Sequence, residues 1–134
     1  MVLTFSSHQF VDRIKSRIKQ TTIRDDESNR WVPGRKIHFW KGNPRNTKSN
    51  PYTFGTGVCT STERVVIDFD KETIYLPNKL KVISDFQELD EFAKTEGFDN
   101  WDYLKFWFYE RGYLGTINKK LIHFIYHAPQ PTNP

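Results

Sequence analysis

From Phe54 to Phe69 the chain reads FGTGVCTSTERVVIDF, a β-type run longer than a small domain ordinarily carries. A strand of that length in a 134-residue protein has to bend to stay within one core. Gly55 and Gly57 are the points at which a bulge or bend is expected. An Asp70-Lys71 turn and the run ETIYL then close a hairpin against it.

Around this strand the apolar period switches repeatedly between two and about 3.6 residues. VLTF reads as a first strand, TTIR as a short one, and KIHFW as a third, with Ile37 and Phe39 on one face. KLIHFIYH reads as the closing strand. Ser6 or Ser7 is placed to cap a first helix carrying Phe10, Val11, Ile14 and Ile18 and ending near Lys19. Ser84 with Gln87 makes a capping box for a second, whose buried stripe is Phe86, Leu89, Phe92 and Ala93 and whose stop is Gly97. Asp99 or Asn100 opens a third, with Trp101, Leu104 and Phe108 facing inward, Trp107 off that stripe and Gly112 as its stop. The Trp101–Tyr109 aromatic run is read as core. Strands on both sides of helices predict an α+β domain of about three helices on a small, strongly bent sheet or β-barrel. It spans 1–127, with 128–134 as a flexible tail.

Aromatic residues make up 16% of the chain, enough buried area per residue to favour an ordered core. No apolar run reaches membrane-spanning length, no secretory leader is visible, and Cys59 is the only cysteine. These point to a cytoplasmic protein without a disulfide. Eleven basic residues face three acidic ones between Arg13 and Thr62, a surplus of eight in a chain of net charge +4. That half suits a polyanion such as RNA, or is simply a solvated basic face. Trp31, Trp40, Tyr52 and Phe54 flank a basic loop, Lys41–Pro51, containing Arg45. Aromatics beside Lys and Arg suit base stacking next to phosphate contacts, with Trp31 and Tyr52 expected to be exposed. His123 and His127 are about 13 Å apart along a strand, too far to share a metal. Cys59 reads as a small buried apolar residue, and no cofactor or metal is expected.

The junction KQTTIRDDES, Lys19–Ser28, concentrates polar groups where a helix gives way to a strand. Alternation sends Thr22 and Arg24 to one face of TTIR, so that Ile23 in the core would leave both lining a cleft. By themselves these residues also read as a strand threonine and a helix-end cation.

The pattern Lys-x-x-Thr-Ile-Arg, its trailing acids and the later FAKTEGFDNWDYLKFWF together resemble the ASCH domain, a branch of the PUA-like superfamily. Within it the chain is most similar to small bacterial proteins that hydrolyse N4-acetylcytidine, over about Leu3 to Tyr126. The resemblance implies a PUA-like barrel and a lysine–threonine–glutamate set at Lys19, Thr22 and Glu96. Thr22 or a positioned water would attack the acyl carbonyl while neutral Lys19 takes a proton and Glu96 assists. Arg24, Trp31, Trp40, Tyr52 and Arg45 would contact an acylated nucleoside or RNA. The alternative implied is an RNA-binding module that recognises a modified base, or a ribonuclease of the ASCH type.

Overall fold

A computed structural model describes residues 1–130 and gives an α+β architecture of seven strands and three α-helices in one mixed sheet. The order along the chain is β1 (Val2–Phe5), α1 (His8–Lys15), β2 (Thr21–Arg24), β3 (Lys36–Lys41), β4 (Tyr52–Asp68), β5 (Thr73–Leu76), β6 (Lys81–Ile83), α2 (Phe86–Thr95), α3 (Trp101–Glu110) and β7 (Thr116–His127). The long β4 organises everything else. One edge pairs with β3 at its start and with β5 at its end, while the other pairs antiparallel with β7 along most of its length. β1 adds in parallel outside β3, β6 outside β5, and β2 outside β7.

Two extra residues bend β4. Phe54 is unmatched between the Phe39–Gly55 and Trp40–Thr53 pairs, and Thr60 between the Cys59–Phe124 and Ser61–His123 pairs. The first bulge falls next to Gly55, not on it. Gly55 and Gly57 have another reason to be small: a Cβ on Gly55 would lie 2.5 Å from the Tyr126 ring, and one on Gly57 2.2 Å from the Ile125 carbonyl oxygen.

The expected barrel is not closed. Among the described residues no backbone ladder joins β1 to β2, so the sheet stays open along that seam. A side chain crosses it instead, with Arg24 Nη2 donating to the Thr4 carbonyl at 2.8 Å.

Each helix starts where a side chain satisfies a free amide. Ser7 accepts from the Gln9 amide, Asp85 from Glu88, and Asn100 from Tyr103. Asp85 therefore displaces the expected Ser84 cap. α1 stops at Lys15, one turn early, because Arg17 takes a left-handed backbone at φ 65° and leaves Ile18 exposed. Phe86 is exposed at the start of α2, ahead of the packed Leu89 and Ala93. The aromatic run of α3 divides: Trp101, Leu104 and Phe108 are buried, whereas Tyr103, Phe106 and Tyr109 face solvent. β6 extends the sheet beyond the predicted strands, and β7 begins at Thr116, ahead of the predicted KLIHFIYH. Residues 128–130 carry no helix or strand, and the rest of the predicted tail lies outside the described residues. No helix among the described residues is long and apolar enough to cross a membrane.

Candidate active site

The open seam between β1 and β2 is one wall of a cleft of about 510 Å³. Thr4 and Phe5 come from β1, Thr22, Ile23 and Arg24 from β2, and Lys19 from the segment between α1 and β2. Glu96 and Phe98 enter from the turn after α2, and Trp107, Phe108 and Arg111 from α3 and its end. The three residues singled out by the resemblance therefore meet in one hollow, although Glu96 is far from the other two in sequence.

Lys19 is delivered by the early end of α1. Its amide donates to the Arg13 carbonyl at 2.9 Å, and its side chain runs inward under Gly97. Gly97 has φ +99°, and a Cβ there would lie 2.7 Å from Lys19 Cδ, so glycine is needed for both shape and backbone. Lys19 Nζ donates to the Thr21 carbonyl at 2.7 Å and to the Glu96 carbonyl. It lies 5.0 Å above the centre of the Phe10 ring. At 4% exposure, burial pushes its amine from the ordinary 10.5 down to about 8; the Glu96 carboxylate partly offsets this, and Arg24 adds to it. An amine poised there accepts a proton near neutral pH, as a general base must.

The Glu96 carboxylate is equally buried and divided between two neighbours. Thr21 Oγ1 donates to its Oε1, while Oε2 stands 3.8 Å from Lys19 Nζ, an ion pair without a direct hydrogen bond. Thr21, which the sequence reading passed over, is thus the side chain that fixes the carboxylate. Thr22 Oγ1 accepts from Arg24 Nε at 3.3 Å, and Arg24 lies 5.0 Å over the Phe5 ring. Burial also lowers the pKa of Arg24, with Glu96 opposing the shift. Thr22 and Arg24 do share the cleft, but Ile23, expected in the core, is only half-buried and lines the cleft as well, because β2 is an edge strand beside the open seam. Among the described residues Lys19 makes no hydrogen bond to Thr22 Oγ1.

The remaining expected contacts lie elsewhere. Trp31 is buried in the core rather than exposed, because Asp26 accepts from the Arg30 and Trp31 amides at 2.8 Å each and folds that segment inward. Trp40 is half-buried on β3, and Tyr52 and Arg45 are exposed, but none of the three lines the cleft. The aromatic surface of the cleft comes instead from Phe5, Phe10, Phe98, Trp107, Phe108 and Tyr113. Trp107 had one sequence signal, its position off the apolar stripe of α3. Arg111, Tyr113 and Lys119 had none: Arg111 comes with the end of α3, and the return of the chain after it brings the other two. The acids after TTIR pair across to β7 rather than with Arg24: Asp25 with Lys119 and Asp26 with Lys120, each at 2.7 Å. His123 bonds Glu63 at 2.7 Å, and no metal-binding group of three or more His, Cys, Asp or Glu occurs among the described residues.

Comparison with known proteins finds no matching family model, no matching curated protein and no matching solved structure.

Proposed function

We propose that this chain is an ASCH-type, PUA-like amidohydrolase that removes the N4-acyl group of N4-acetylcytidine or a related acylated nucleobase in the cytoplasm. The observation that carries this reading is the convergence of a buried amine, the Thr22 hydroxyl and a buried carboxylate in one cleft, with Thr21 holding that carboxylate from behind. The cleft's volume is that of a small-molecule site, and its partly aromatic lining, with Phe98 and Trp107, suits a pyrimidine.

In the proposed reaction, a water is the nucleophile. The missing Lys19–Thr22 hydrogen bond supports water over the Thr22 hydroxyl, because a nucleophilic threonine needs its base in contact. Neutral Lys19 takes a proton from the water as its oxygen adds to the acyl carbon. Arg24, which touches Thr22 and has no carboxylate within ion-pair distance among the described residues, faces the negative charge that develops on the carbonyl oxygen. The C–N bond then breaks, and the proton held by Lys19 passes to the departing amine. The products are the free base and a carboxylic acid. Thr22 holds Arg24 and the substrate in register, and Glu96 holds Lys19.

The test is to incubate the protein with N4-acetylcytidine and follow cytidine by chromatography, with Lys19→Ala and Thr22→Ala beside it. Turnover in the wild type, a loss of about 10²-fold or more in Lys19→Ala and a smaller loss in Thr22→Ala are expected. Turnover that survives both substitutions, or none in the wild type, removes the hydrolase reading. Retained binding without turnover would leave a module that recognises the modified base.

A further inference from the structure

The solvent end of the cleft carries a cation that the hydrolytic chemistry does not use. Arg111 caps α3 and is exposed, whereas Lys19 at the other end of the same cleft is buried. Its guanidinium lies 3.6 Å over the Trp107 ring, and Nη1 donates to the Trp107 carbonyl at 3.1 Å. The fork is therefore held flat at the mouth, with its other N–H groups free of any carboxylate within ion-pair distance among the described residues. Lys119, the other cation at this end, is already paired with Asp25 and also bonds the Tyr113 hydroxyl at 3.2 Å.

The charge of the lining points the same way. Four cations, Lys19, Arg24, Arg111 and Lys119, face two acids, Asp25 and Glu96. Even with Lys19 neutral the cleft keeps a surplus of one positive charge: Asp25 answers Lys119, Glu96 interacts with Arg24, and Arg111 at the rim is left over. An uncharged nucleoside leaves that surplus unanswered. A phosphate group matches it, and a preorganised, stacked guanidinium is the side chain best suited to take one in a bidentate grip.

We propose that Arg111, held on Trp107, is a phosphate subsite, so that the cleft's preferred occupant is a nucleoside phosphate rather than a free nucleoside. Only the identity of the base rests on the hydrolase reading, because phosphate recognition is measurable without turnover. The phosphate belongs either to a free nucleotide or to an RNA strand presenting the base.

Calorimetry on the full chain separates these, titrating cytidine, cytidine 5′-monophosphate, inorganic phosphate and a short cytidine-containing oligoribonucleotide into wild type, Arg111→Ala and Arg111→Lys. The wild type is expected to bind a phosphorylated ligand about tenfold or more tightly than cytidine, with the advantage shrinking as salt rises. Arg111→Ala reduces the ratio to within about twofold, and Arg111→Lys retains part of it because the charge remains while the flat fork is lost. An advantage seen with the mononucleotide identifies a free nucleotide; one confined to the oligonucleotide identifies the RNA backbone. Equal affinity for cytidine and both phosphorylated ligands, no binding of any of them, or a preference unchanged in an Arg111→Ala protein of normal melting temperature overturns the proposal. Absent N4-acetylcytidine turnover beside an intact, Arg111-dependent preference removes the hydrolase and leaves the subsite.

Discussion

At the scale of single residues, the proposed chemistry turns on one amine moved out of its ordinary range. Burial holds the Lys19 amine near about 8, so about one molecule in ten carries the neutral form at pH 7 and about half at pH 8. In the proposed reaction the neutral form is the base. The kcat/KM for deacylation is therefore expected to climb almost tenfold per pH unit below about 8 and to level off above it. A profile that is flat or falls through that range contradicts the assignment. Thr21 makes the second residue-scale case. Its hydroxyl is the donor to Glu96 Oε1, and Thr21→Val strands a buried carboxylate oxygen at a cost of about 1–3 kcal/mol. Because Thr21 acts through Glu96 and Lys19, the substitution should also shift the midpoint of the pH profile, with Thr21→Ser restoring it. Chemical denaturation and the rate profile together check this; an unmoved midpoint would make Thr21 merely structural.

At the scale of elements, the site is assembled from endings: the end of α1, the start of β2, the end of α2 and the end of α3. Endings carry side chains free of the helix ladder and backbone carbonyls free to accept, which is how Lys19 finds the Thr21 and Glu96 oxygens. Gly97 is the hinge of this arrangement. Gly97→Ala forces a side chain into a left-handed position and against Lys19 Cδ. A loss of about 1–3 kcal/mol in stability is expected, together with a fall in kcat as Lys19 is displaced. Thermal melting and steady-state kinetics read the two effects separately. The same elements account for the misjudged helix faces. Phe86 shares the α2 stripe with Leu89 and Ala93 but sits on its uncovered first turn, whereas Tyr103 falls outside the α3 stripe of Trp101, Leu104 and Phe108.

At the scale of the whole molecule, an open seam takes the place of barrel closure. β1 and β2 stand apart, Arg24 spans the gap, and the unclosed edge becomes the cleft. The segment after β2 is tied down on the far side by Asp26. Burial works against its charged form, but hydrogen bonds from Lys120 and from the Trp31 and Arg30 amides prevail and hold the carboxyl below its ordinary range. A lowered folded-state value means that Asp26 stabilises the fold above its unfolded pKa, and that this contribution disappears as pH falls through the folded value. Asp26→Asn should therefore cost about 1–3 kcal/mol at neutral pH, with the difference from wild type narrowing in acid. Denaturant titrations at pH 7 and pH 3 measure it, and an equal difference at both would refute the latch.

What the chain's letters determined unaided were the things set by short-range physics. The strand KIHFW, the long bent run after Phe54, the strand TTIR and the Ser7 and Asn100 caps all follow from alternation, periodicity and side-chain hydrogen bonding within a few residues. The fall in the Lys19 pKa, the Thr21–Glu96 bond and the meeting of Trp107 and Lys119 with Lys19 in one cleft were decided by tertiary structure. Desolvation and long-range contact depend on which distant segment closes over a residue, and local pattern carries no record of that.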